Sequence, residues 1–246
     1  MARRPLRRHA VVELDRHEVD TRLALLQLAD SALPVGTFAH SFGFESALSA
    51  GWVRDEVGVA AWLEQYVRRQ LVTTDLLAIR RVYDLHDSES SGAGLAELDD
   101  ALTALTLASE AREASRTMAA RLMELATECF ASPSLLTYAD RVAEGRCHGH
   151  YPIVYGATLA GLGVGLDEAL LTYAGSVVIG LTQNAVRAVP LGAAAGQRII
   201  TRLHPTIAQA VADAGRLPID RLGASTPHLE IAQMRHEHQH ARMFSS

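Results

Sequence analysis

Residues 151–186 read YPIVYGATLAGLGVGLDEALLTYAGSVVIGLTQNAV, and in that stretch only Asp167 and Glu168 carry charge. The two acids follow a Gly161-Leu162-Gly163-Val164-Gly165 turn, which divides the stretch into two apolar helices. The second uncharged run, Ala169 to Val186, has 18 residues, the lower limit for a membrane span. It also carries Thr172, Ser176, Thr182, Gln183 and Asn184, so a buried central helix is the expectation and a membrane span is not. Gly156, Gly161, Gly175 and Gly180 let neighbouring helix backbones come close.

Outward from this centre the helical period recurs, and alternating β-branched strand patterns are scarce. Val59, Trp62, Leu63, Tyr66, Val67 and Leu71 make one apolar stripe on a helix from about Asp55 to Leu71. Leu98, Ala101, Leu102 and Leu105 begin a second pattern, which Met118, Leu122, Leu125, Ala126 and Cys129 continue toward Phe130, with Ser132-Pro133 as its stop. The SESSGAG segment, residues 88–94, reads as the helix-to-helix connection between them. Pro190 interrupts the next pattern, and helices resume over 192–203 and again over 205–214. The fold class expected is all-α, a compact single-domain bundle of roughly ten helices.

The chain has 246 residues, 48% hydrophobic and 21% charged, with net charge −5. That is a globular composition and does not suit a surface that tracks nucleic acid. All 23 basic residues are Arg. Without Lys the chain lacks a Walker A loop and the amine that Schiff-base or pyridoxal chemistry requires. Arg3, Arg4, Arg7 and Arg8 form a basic arm that no apolar run follows, so a secretory leader is not expected and the location expected is cytoplasmic. Cys129 and Cys147 are too few for a disulfide framework.

Three patterns invite a chemical reading. His236-Glu237-His238-Gln239-His240 satisfies H-E-x-x-H, the zinc-protease spacing, but no His, Asp or Glu follows His240 as a third ligand. Cys147, His148 and His150 lie too close together to close a tetrahedral site alone, and loop packing is their expected role. The Gly161-x-Gly163-x-Gly165 turn lacks the strand and the glycine offset of a dinucleotide loop. More informative is residues 28–51, LADSALPVGTFAHSFGFESALSAG. Here Pro34 and Gly36 suit a fixed turn, Ser41 can cap the following helix, and Glu45 complements that helix's positive end. Glu110, Arg112, Glu113 and Arg116 lie at helical spacing and can pair.

Together these patterns resemble the urease accessory protein UreF family. The opening LLQLADSALPVGTFAHSFGFE retains Pro34, Gly36, Phe38, Ser41, Gly43 and Glu45. Glu110, Arg112, Ser115 and Met118 resemble a middle motif, the stretch from His148 to Gly156 a third, and Pro190-Leu191-Gly192 a fourth in which Ala193 stands where the family has Gln. His236-Glu237 followed by Arg242-Met243-Phe244-Ser245-Ser246 resembles the family tail and accounts for the zinc-like spacing.

The resemblance implies a non-enzymatic, homodimeric scaffold without a cofactor. It would bind UreD (also called UreH), recruit the GTPase UreG and support nickel insertion into apo-urease, with no nucleic acid or membrane partner. The partner-binding residues it implies are Pro34, Gly36, Phe38, Ser41, Glu45, Glu110, Arg112, His236, Glu237, Arg242 and Phe244. The organisation expected is a disordered basic arm over 1–21, a helical domain over 22–227 and a partner-binding tail over 228–246. That tail is expected to be disordered until UreD orders it, burying Phe244 and pairing Arg242.

Overall fold

The computed structural model describes residues 15–86, 88, 91–223 and 226–246. The basic arm up to residue 14, and residues 89 and 90 of the expected 88–94 connection, lie outside the described residues. Arg16–Ala29 forms α1, so residues 16–21 of the arm expected to be disordered are helical. After α2 (Phe44–Ser49) come α3 (Glu56–Tyr66), a π-helical segment (Val67–Leu76) and α4 (Leu77–Leu85). Then follow α5 (Ser91–Leu105), α6 (Ser109–Cys129), α7 (Pro133–Ala143), α8 (Tyr151–Gly161), α9 (Leu166–Ala188), α10 (Ala193–Ala214) and α11 (Pro227–His236). Among the described residues there is no strand. Because α3, the π segment and α4 form one rod, the described residues make ten rods, and the all-α class read from the sequence holds.

The encased helix is α8. Every residue from Tyr151 to Ala160 is buried, consistent with a helix apolar on all sides. Gly156 permits its contact with α4, since a Cβ there would lie 3.2 Å from the Val82 Cβ. The expectation that Ala169–Val186 is the central helix is therefore corrected. In α9 one face, with Tyr173, Ala174, Val178 and Leu181, is packed inside, while Leu171 stands half exposed. Thr172, Ser176 and Gln183 are only partly buried, whereas Thr182 and Asn184 are buried and donate to the Val178 and His40 carbonyls.

Local chemistry accounts for several boundaries and moves others. Asp55 caps α3 by accepting from the Gly58 amide at 2.8 Å, and Ser132 caps α7 ahead of Pro133. The helix expected to stop near Leu71 runs on, because Leu76, Leu77 and Ile79 are all buried in the core and leave no reason to turn. The pattern from Leu98 to Phe130 is two helices. Residues 106–108 break it, and Arg112 Nη1 donates to the Thr106 and Leu107 carbonyls at 2.5 and 2.9 Å, satisfying the freed end of α5. No Gly or Pro marks that break. Conversely, Pro205 lies inside α10 without ending it, because Leu203, Thr206 and Ile207 are buried on both sides of it.

The rod from α3 to α4 is the element most dependent on burial. Ile79→Ala should lower stability by about 2–5 kcal/mol, read as a drop in thermal unfolding midpoint with helicity retained below the transition.

Candidate functional site

Three stretches far apart in sequence meet at one point. Gly36 and Gly43 take left-handed conformations, φ +86° and +88°, and turn the chain from α1 into α2. A Cβ at Gly43 would lie 3.1 Å from the Gln233 amide nitrogen, so the same glycine lets α11 close onto α2. The Ser41 hydroxyl accepts from the Glu45 amide at 3.4 Å, and the Glu45 carboxylate in the first turn of α2 points at α11 and the tail.

Glu45 Oε1 accepts from the Met243 amide at 2.6 Å, and Oε2 accepts from the Phe244 amide at 3.1 Å. The same Oε2 lies 3.0 Å from His236 Nε2. His236, the last residue of α11, is wholly buried, and its Nδ1 lies 2.6 Å from Glu110 Oε2 on α6. Glu110 Oε1 in turn pairs with Arg242 at 2.5 Å. Both imidazole contacts are hydrogen bonds when both ring nitrogens carry hydrogen, and the cluster then holds two negative and two positive charges. His236 and Glu45 are the buried part of this set, where removing one partner leaves the other desolvated, whereas Arg242 closes it from the partly exposed side.

Beyond this cluster the last residues lie along the turn that precedes α2. Ser245 donates to the Ala39 carbonyl at 2.6 Å, the Ser41 and Phe42 amides both donate to the Ser246 carbonyl, and the Ser246 hydroxyl lies 2.9 Å from His40 Nδ1. Asn184 on α9 donates to the His40 carbonyl at 2.8 Å, and the Arg187 guanidinium sits 5.3 Å from the centre of the buried Phe244 ring. Burial, and secondarily the charge of Arg121, lowers the affinity of His40 for a proton. The expectation of a tail disordered until a second polypeptide arrives is corrected: here the Met243, Phe244 and Ser245 amides, the Phe244 ring and the Arg242 guanidinium have partners within the chain.

The structure therefore brings together Ser41, Glu45, Glu110, His236, Arg242 and Phe244 around the docked tail, whereas Gly36 lies in the preceding turn against the Arg121 guanidinium. Glu237 binds the Ser109 hydroxyl and amide at the start of α6, which lowers its carboxyl below the ordinary range. Arg112 serves the α5–α6 joint. Pro34 is exposed on the turn, and Phe38 is half-buried with its carbonyl 3.5 Å from Arg187. The H-E-x-x-H spacing does not form a metal-binding face: α11 ends at His236, both of whose ring nitrogens face carboxylates, and His240 lies beyond the helix.

A second polar hub was not singled out by the sequence. Asp99, fully buried on α5, accepts from the Tyr138 hydroxyl and from the His148 and Gly149 amides, the last two at 2.6 and 3.1 Å. It thereby fixes the Cys147-Gly149 loop in the packing role expected for that cluster. Asp99, Asp100 and His148 bring ligand atoms within 4.8 Å of one another, but the Asp99 oxygens are already taken by these donors. His150 bonds Thr103 at 2.8 Å and Ser115 at 3.3 Å, and burial is the main cause that pulls its pKa down to about 4. An Asp inside a Leu-rich helical pattern gives no sign from sequence that three donors from elsewhere will close on it.

The UreF family model matches residues 53–204. A relative from an Arthrobacter species is 49% identical over 225 residues, covering 92% of this chain and 97% of the relative. The chain belongs to the UreF family. One from Paenarthrobacter aurescens is 47% identical over 92% of this chain and 98% of its own length, and one from a Bacillus species is 37% identical over 91% and 98%. Each of these relatives is named urease accessory protein UreF. The UreF family match at 53–204 spans α3 to α10, whereas the tail and the Pro34–Glu45 turn on which it lies flank that range.

Two outcomes follow from this geometry. His236→Ala should destabilise the chain by about 3–5 kcal/mol by removing the buried partner that Glu45 and Glu110 share, whereas Arg242→Ala, at a half-exposed pair, should cost about 0–1 kcal/mol. Thermal melts with amide exchange at Met243 and Phe244 read both. Because folding depresses the His150 pKa, the unfolded chain takes up a proton first, so its contribution to stability is complete above pH 6.5 and is lost as pH falls toward 4. Denaturant titrations across that window should show the loss, and His150→Gln should flatten it.

Proposed function

We propose that this chain is a non-catalytic scaffold of urease maturation. It binds UreD (UreH), the pair recruits the GTPase UreG, and the assembly supports nickel insertion into apo-urease. The observation that carries this reading is the 49% identity, over 92% of the chain, to a protein named as a urease accessory protein. A chain without Lys suits a role in which the nucleotide chemistry resides in a partner. The scaffold is read as a homodimer acting in the cytoplasm, in keeping with its two free cysteines.

The docked tail defines what a partner would meet. Phe244 is buried within the chain, so the partner-facing groups are those the clamp leaves outside: Met243 at 53% exposure, Ile231 at 42%, and the outer side of Arg242. On this reading UreD recognises a tail already shaped by Glu45, which reduces the ordering cost that a disordered segment would bring to binding.

Co-expression of the tagged chain with UreD, followed by affinity capture, tests the assignment. Met243→Asp should reduce UreD recovery at least about tenfold, the effect of charging the centre of an apolar contact, while leaving the melting temperature unchanged. Removal of residues 236–246 should abolish recovery. Undiminished capture by both variants, or urease of full activity in cells that lack the chain, would overturn the reading.

A further inference from the structure

A cavity of about 110 Å³, room for several waters, runs from the exposed Asp30 and Ser31 after α1 inward to Asp75 on the π-helical segment. Carboxylates stand at both ends, and among the described residues no arginine lines it. A cleft with low-dielectric walls and charge of one sign concentrates ions of the other sign. π-helical turns are also over-represented at functional sites.

The inner end is built for a donor. The Tyr173 hydroxyl donates to Asp75 Oδ2 at 2.7 Å. Burial raises the Asp75 carboxyl above its ordinary range, partly offset by hydrogen bonds from Tyr173 and Thr74, and no cation among the described residues counters it. Tyr66 and Tyr151, exposed by only 5% and 6%, line the same space. Burial, then the charge of Asp75, raises the pKa of both phenols, so both stay protonated and are close enough to feel that charge. Among the described residues neither hydroxyl has a hydrogen-bond partner. Two phenol hydroxyls thus open onto the cavity beside a carboxyl that has no cation among its neighbours, free to bond whatever occupies it.

A divalent metal is poorly served here. The phenols are neutral, a single carboxylate lies at the base, and the ring nitrogens of His150 are held by Thr103 and Ser115. A primary ammonium has three N–H donors and one charge, and the site presents three acceptors, of which one is charged. Leu102, Met118, Leu181 and Phe42 supply an apolar wall for the methylene stem.

We propose that this cavity is a receptor for a primary ammonium group on a short apolar stem, with Asp75 as counter-charge and the Tyr66 and Tyr151 hydroxyls as neutral acceptors. The group comes from a free alkylamine or from a lysine side chain of another protein. A second copy of this chain has no lysine to supply. The inference is independent of the role in urease maturation and stands or falls separately from it.

Titration of the full chain with n-butylammonium chloride, followed by calorimetry and tyrosine ring resonances, is the test. Saturable 1:1 binding is expected, at least about tenfold tighter than that of the neutral isostere n-butanol. Asp75→Asn should weaken it about tenfold, and Tyr66→Phe and Tyr151→Phe each about threefold, the loss expected for one charged and one neutral hydrogen bond. Folding of each variant is verified by its melt, and the two phenylalanine variants keep the ring packing if Asp75→Asn does not fold. A blocked tripeptide Gly-Lys-Gly that binds, and loses binding on Nε-acetylation, assigns the source to a protein lysine. Binding of n-butylammonium alone assigns it to a free amine. Equal binding of n-butanol, no binding of n-butylammonium, or tyrosine variants that bind as the parent does would overturn the proposal.

Discussion

One carboxylate organises the candidate site. Glu45 accepts two backbone amides of the tail and faces one nitrogen of a buried imidazole, so three elements distant in sequence are held by one side chain. The amides of Met243 and Phe244 have no helix or strand to satisfy them. Burying them is tolerable because a charged acceptor replaces the water they lose, and charge-assisted bonds of this kind are among the stronger ones in proteins. Without Glu45 the tail would leave unpaired amides against an apolar core, and His236 would lose the partner that makes its burial affordable in α11.

That dependence is why the site is a joint between segments and not a surface patch. Gly43 supplies the close approach of α2 and α11, Ser41 and Glu45 supply acceptors, and Glu110 ties the joint to α6. Arg242 and Arg187 then cover it from outside, one on Glu110 and one over the Phe244 ring. A partner that recognises this region meets a tail of fixed shape, which exposes Met243 while hiding Phe244. The UreF family membership and this geometry bear on the same residues from different directions. The first says which proteins share the chain's ancestry, and the second says which side chains hold the shape that a partner would read.

The rest of the bundle serves to position the joint. The rod from Glu56 to Leu85 and the encased α8 form the core against which α6, α9 and α10 pack. The same packing leaves the acid-ended cavity between α1, α9 and the π-helical segment. The Asp99 hub is the counterpart of the Glu45 clamp at another corner. In both, a buried carboxylate gathers backbone amides from a loop that lacks regular structure of its own.

How much of this was legible in the sequence follows from the range of each interaction. Helical class, the helix boundaries at Asp55 and at Ser132-Pro133, and the turn at Pro34-Gly36 were readable, because capping, proline and φ preference act within a few residues. The break at residues 106–108, the passage of α10 through Pro205 and the choice of α8 over α9 as the encased helix were not, because each was settled by what packs against the segment. The tail motif was visible as a pattern, and its partners Glu45 and Glu110 were visible as well. That they are partners of one another was decided only when the tertiary fold brought positions 45, 110 and 236 within hydrogen-bond distance, since no local rule links residues so far apart along the chain.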